Sequence, residues 1–71
     1  MEEQYEVVAE VRGEERRVWI DRTHAIKVNN DFLEAEMQNP PPVTTFNRVD
    51  AALVAAHVRS LNVAAVIVRP V

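Results

Sequence analysis

The chain has no cysteine and a single glycine among its 71 residues, and these two scarcities constrain it from the outset. Without cysteine there is neither a disulfide framework nor a thiolate zinc site to reinforce a small fold. With one glycine there is no glycine-rich loop to cradle a phosphate and no nucleophile elbow. Four prolines and so little glycine argue against a disordered chain. No stretch approaches the roughly 18 consecutive apolar residues of a membrane span. The opening MEEQYE lacks a basic region followed by an apolar run. A soluble, cytoplasmic protein with no membrane partner is the expectation.

Basic charge is in short supply too. Eight Lys and Arg stand against eleven Asp and Glu, a net charge of −3, so a polyanion meets a repulsive mean field unless the cations cluster. Seven of the eight are arginines, which suits planar, bidentate contacts to carboxylates or phosphates. A hydrophobic content of 48% is that of a globular domain. The whole span 1–71 is one compact domain, and a domain this short hides only about 60% of the surface its unfolded chain exposes.

What is present reads as an α+β order, ββα(β)αβ. Gly13 separates two alternating runs, 4–11 and 16–20, and a two-residue Gly13-Glu14 turn with glycine first is the type II′ solution. That turn sets Val8 opposite Trp19 and Glu10 opposite Arg17. Tyr5, Val7, Ala9, Val11, Val18 and Ile20 then share one face. Glu6, Glu10, Arg12, Glu15 and Arg17 share the other, with Val8 and Trp19 as its apolar members.

Beyond Ile20 the apolar period becomes helical, with Ala25, Val28, Phe32 and Ala35 on one ridge and Lys27, Asp31, Glu34 and Gln38 on another. One helix from about Arg22 to Gln38, capped by Asp21, accounts for both ridges. The competing parse makes Thr23 to Val28 a strand and starts a short helix at Asn30. Pro40, Pro41 and Pro42 end the helix and form a stiff spacer, and Val43 to Phe46 is a further short strand. Asn47 caps a second helix with Asp50 at its third position, running to about Leu61 and stopped by Asn62 in the left-handed region. Val63 to Val68 is a continuous apolar run, the mark of a strand covered on both faces or central in a sheet, closed by Pro70. The expected architecture is a small, mainly antiparallel sheet, the N-terminal hairpin plus the C-terminal strand, with two helices on one face.

Little in the chain points to catalysis. Asp50, His57 and Ser60 are the residue types of a nucleophilic triad, but Asp50 and His57 are two helical turns apart, roughly 10.5 Å of rise against a bond of about 3 Å. His24, Asp31, Glu34 and Glu36 follow no metal-ligand spacing, so no metal and no cofactor are expected. The surplus is apolar. On the second helix Val49, Leu53, Val54, Val58 and Leu61 spread over nearly half the circumference, beside a small-residue face of Arg48, Ala51, Ala52, Ala55 and Arg59 that allows a neighbouring helix to approach closely. The expected function is a non-enzymatic protein-interaction module, acting as a homo-oligomer or as a small accessory or inhibitory subunit of a larger protein. Its partner-binding residues are Val8, Trp19, Arg12 and Arg17 on the hairpin and Ala51, Ala55 and Arg59 on the helix. The alternative is a nucleic-acid-associated regulator that stacks bases on Trp19 within a rim of Arg12 and Arg17, although Glu6, Glu10 and Glu15 share that face and oppose a polyanion.

Overall fold

A computed structural model describes residues 3–37 and 39–71; Met1, Glu2 and Gln38, the expected end of the first helix, lie outside the described residues. The elements are β1 (Tyr5–Val11), β2 (Glu14–Ile20), β3 (Ile26–Val28), α1 (Phe32–Ala35), α2 (Arg48–Arg59) and β4 (Ala65–Pro70). The expected class is what forms: a small α+β fold with two helices on a four-stranded antiparallel sheet, whose strand order is β3-β2-β1-β4.

The hairpin turns one residue earlier than glycine-first chemistry implies. Arg12 and Gly13 both have positive φ, 52° and 81°, which makes them the central pair of a type I′ turn, whose twist matches that of the flanking strands. Val7 therefore faces Val18, Val8 faces Arg17 and Glu10 faces Glu15. The register differs from expectation by two residues, so each side chain keeps its face. Trp19, however, has lost Val8 as its direct partner and pairs with Lys27 on β3.

The moved register leaves the open ends of β1 and β2 unpaired with each other, and residues 43–46 fill the gap. Val43 exchanges two backbone hydrogen bonds of 2.9 Å with Ile20, and Phe46 exchanges bonds of 2.8 and 2.9 Å with Tyr5. The expected short strand is thus a pair of isolated bridges, Ile20↔Val43 and Tyr5↔Phe46.

The long first helix does not form; the competing parse does. Asp21 organises a turn rather than a helix start: one carboxylate oxygen accepts from the amides of Thr23 (2.8 Å) and Ala25 (3.0 Å) and from the Thr23 hydroxyl (2.6 Å). His24 takes a φ of 66°, and the chain returns as β3 alongside β2. Asn30 extends this pairing by accepting from the Arg17 amide through its side chain, at 3.0 Å. Only one helical turn, α1, remains, and it sets Phe32 beside Arg17.

α2 begins as expected. The Asn47 side chain accepts from the Asp50 amide at 2.8 Å, and its own amide group donates to the Asp50 carboxylate at 3.2 Å. It ends earlier, at Arg59, where the amides of Ser60 and Leu61 close tight turns on the carbonyls of His57 and Val58. Asn62 is not in the left-handed region. Ala51, Val54, Ala55 and Val58, spaced i, i+3, i+4 and i+7, pack with Val7, Ala9, Val18 and Phe46 into the main core. No helix is long and apolar enough to cross a membrane among the described residues.

Candidate interaction site

Trp19 is 6% exposed and Val8 1%. The hairpin patch proposed for docking is therefore occupied from within, by the chain between β3 and the prolines. The indole Nε1 donates to the carbonyl and side-chain oxygens of Asn29, both at 3.2 Å. Beside it Ala35, Pro40 and Pro42 wall a hollow of about 270 Å³ with Trp19 and Asp21.

Val8 is sealed by charge. Arg17, its cross-strand partner, places its guanidinium 4.9 Å from the centre of the Phe32 ring, donates to the Thr44 carbonyl at 3.2 Å and pairs with Glu6 at 3.3 Å. Arg69 on β4 pairs with the same Glu6 and reaches Glu15 on β2 at 3.9 Å. Arg69 and Glu15 stand on either side of β1, so their contact passes over Val8. The Glu6 carboxylate pushes the Arg69 guanidinium further up from its already high value. Long side chains here cover apolar surface with their stems while their charges meet outside.

These contacts remove the stacking platform of the nucleic-acid alternative. Trp19 is nearly buried and Arg17 is committed within the fold; Arg12 stands apart, exposed at the hairpin tip. On α2 the small-residue face divides in the same manner. Ala51 and Ala55 are 0% and 1% exposed, which corrects their expected role: their lack of bulk lets the helix approach its own sheet. Asp50 and Ser60 are engaged at the two ends of α2, with Asn47 and with the His57 carbonyl. The described residues contain no group of three or more His, Cys, Asp or Glu able to hold a metal ion.

The remaining members of the helix face do come together with surfaces not foreseen. A groove of about 330 Å³ runs between α2 and β4, lined by Tyr5, Arg48, Ala52, Ala55, Arg59 and Val68. It continues into a cleft of about 510 Å³ at the start of α2, where Glu3, Asn47, Val49 and Asp50 join Tyr5 and Arg48. Arg48 and Arg59 make no ion pair among the described residues. The Tyr5 hydroxyl donates to Glu3, which holds the phenol above its ordinary value, and nearby Arg48 opposes that shift.

The groove's outer wall is β4, an edge strand and not the covered central strand expected of its apolar run. Ile67 and Val68 are 40% and 38% exposed. The Val71 amide donates inward to the Gln4 carbonyl at 2.9 Å. By the alternation of an antiparallel ladder, Ala65, Ile67 and Arg69 also turn their backbone groups toward β1, and Val66, Val68 and Pro70 turn theirs outward. Pro70 lies within the strand, at a position where its missing donor costs no internal bond. The continuous apolar run was visible at 63–68; edge position was not, because strand order depends on which neighbour β1 takes.

Fold and surface together define a small α+β protein whose sheet has β3 and β4 at its edges, with β4 beside a helix-lined groove. Compared with known proteins, the chain matches no family model, and no curated protein or solved structure matches it significantly.

Proposed function

We propose that this chain is a non-enzymatic protein-interaction module that docks an extended strand along β4, working as a homo-oligomer or as a small subunit of a larger assembly. The observation that carries the reading is the outward edge of β4. Its backbone groups at Val66 and Val68 have no partner strand among the described residues, and the apolar side chains of Ile67 and Val68 flank them. The six-residue edge carries a single charge, Arg69, and Pro70 interrupts only its last position. Edges that must stay solitary are ordinarily shorter or more heavily charged. Strand addition draws affinity from main-chain hydrogen bonds and selectivity from pockets for alternate side chains, and the α2–β4 groove supplies such pockets.

A photo-crosslinking residue introduced at Ile67 tests this in cells. Adducts are expected at that position and not when the same residue replaces Glu14 at the hairpin tip, and Val68→Pro on the same strand should abolish them. Absence of any protein adduct at Ile67 overturns the reading.

A further inference from the structure

We infer that the strand docked on β4 is β4 of a second copy, paired antiparallel about a two-fold axis through Ile67, so that two sheets join into one of eight strands. The inference rests on the strand-docking reading and names the partner.

The edge is complementary to itself in one register. With Ile67 on the axis, Val66 of one copy faces Val68 of the other, and both carry an outward amide and carbonyl, so the join makes four backbone hydrogen bonds. The ladder ends where it should, since Pro70, which has no donor, falls just beyond the last bonded pair. Side chains agree with this register. Ile67 meets its own copy across a non-hydrogen-bonded pair, where side chains approach most closely. Arg69 faces Ala65 and not a second Arg69, which keeps like charges from opposing each other.

Helix spacing gives an independent check. α2 packs over both β1 and β4, and strands lie about 4.8 Å apart, so the helix sits about 2.4 Å inward of β4 and the axis a similar distance outward. The two α2 helices then lie about 9.6 Å apart and antiparallel, within the 8–10 Å of packed helix pairs. The face each turns toward the join is the groove wall, in which Ala52 stands between Arg48 and Arg59. A small central residue permits the approach. Each Arg48 is brought toward the carbonyl end of the opposite helix, which already carries Arg59, so the favourable helix end is offset by a like charge and the helix contact rests on Ala52.

Charge reversal at the axis tests both register and partner. Sedimentation of the wild-type chain at rising concentration is expected to approach twice the 8.1 kDa monomer mass. Ile67→Arg and Ile67→Glu each place like charges face to face and should sediment as monomers, while an equimolar mixture of the two should recover the doubled mass. Val68→Pro deletes two of the four cross-axis bonds and should raise the dissociation constant about tenfold or more. Amides of Val66 and Val68 should gain exchange protection as the dimer forms. A chain that stays monomeric, or a dimer that tolerates both single charges, overturns self-pairing. If crosslinks from Ile67 reach only other proteins, self-pairing fails while strand docking stands. If they reach nothing, both fail.

Discussion

Trp19 shows how a single side chain can be placed correctly in pattern and differently in role. Period-two alternation puts it on the face of Val8 and Arg17, and the structure agrees, because face depends only on parity along the strand. Whether that face meets water depends on residues 29–42, whose local preferences do not reveal where they lie. Once covered, the indole becomes a stability element. Trp19→Phe retains most of the buried ring but strips Asn29 of its donor, and should cost about 1–2 kcal/mol. Trp19→Ala should cost about 3–5 kcal/mol, enough to unfold a large share of so small a domain; urea denaturation followed by circular dichroism reads both. An indole that mattered only for partner binding would leave both midpoints unchanged. Asp21 offers a second residue-level test. The Thr23 hydroxyl, together with the Ala25 and Thr23 amides and the charge on Lys27, holds its carboxyl below the ordinary value. A lowered folded-state value means the stabilisation is fully present above the ordinary carboxylate range and vanishes as pH falls through the lowered one. The Thr23 and Ala25 amide resonances should therefore move together on acidification, below the ordinary range. Asp21→Asn should remove that titration while leaving β3 in place, since an uncharged amide oxygen still accepts from both amides. Persistence of the titration in the variant would assign it elsewhere.

Among the elements, those stabilised by their own sequence were the legible ones. α2 carries its own start signal in Asn47 and Asp50 and its own buried stripe, so its beginning and its class follow from local chemistry. β3 and α1, three and four residues long, are too short to be stable alone. They exist because Asp21 fixes a turn and because Asn29 and Asn30 bond to Arg17 and Trp19. The apolar spacing within residues 22–38 serves both outcomes, and only Asn29-Asn30, a poor helix centre and a good cap, speaks for the strand and short helix. The first turn illustrates a subtler limit: a lone glycine can hold either central position of a two-residue hairpin turn. Arg12 adopts a positive φ that costs a side-chain-bearing residue about 1–2 kcal/mol. Arg12→Asn, which tolerates that region better, should stabilise the hairpin by about 0.5–1 kcal/mol. Gly13→Ala should destabilise it by about 1 kcal/mol through backbone strain alone, because a Cβ there would meet nothing within 4 Å. Thermal melts of the two variants should shift in opposite directions. If Gly13→Ala is neutral, the turn is not the one described.

At the scale of the whole molecule the decisive quantity is apolar surface that the chain cannot hide. The surplus read from the sequence included Val49, Leu53 and Leu61, which are exposed, but the residues chosen from it for docking, Val8, Trp19, Ala51 and Ala55, are all buried. The large apolar residues left outside are Leu33 and Met37 at α1, Val43 before α2, Val49, Leu53 and Leu61 on α2 and just past it, and Ile67, Val68 and Val71 at the edge strand, and the last group lies beside the outward backbone groups of β4. Exposed apolar side chains are common on monomers and need no partner, so Leu53→Lys should alter stability by less than about 0.5 kcal/mol and leave association untouched. The edge differs because pairing there satisfies donors and acceptors as well as burying side chains. Association linked to folding makes stability depend on concentration. The thermal midpoint of the wild-type chain should therefore climb steadily between about 1 and about 100 µM, and that of Ile67→Arg should stay flat at the level of the dilute wild type. Ile67→Pro separates edge from ladder in the same assay. Its lost donor is one that faces β1, so it should lower the midpoint at every concentration, whereas Val68→Pro, lacking only an outward donor, should match the wild type when dilute and diverge from it when concentrated. A concentration-independent midpoint for the wild type would mean that the open edge of β4 contributes nothing to the stability of this fold, and that the 71 residues stand on the α2–sheet core alone.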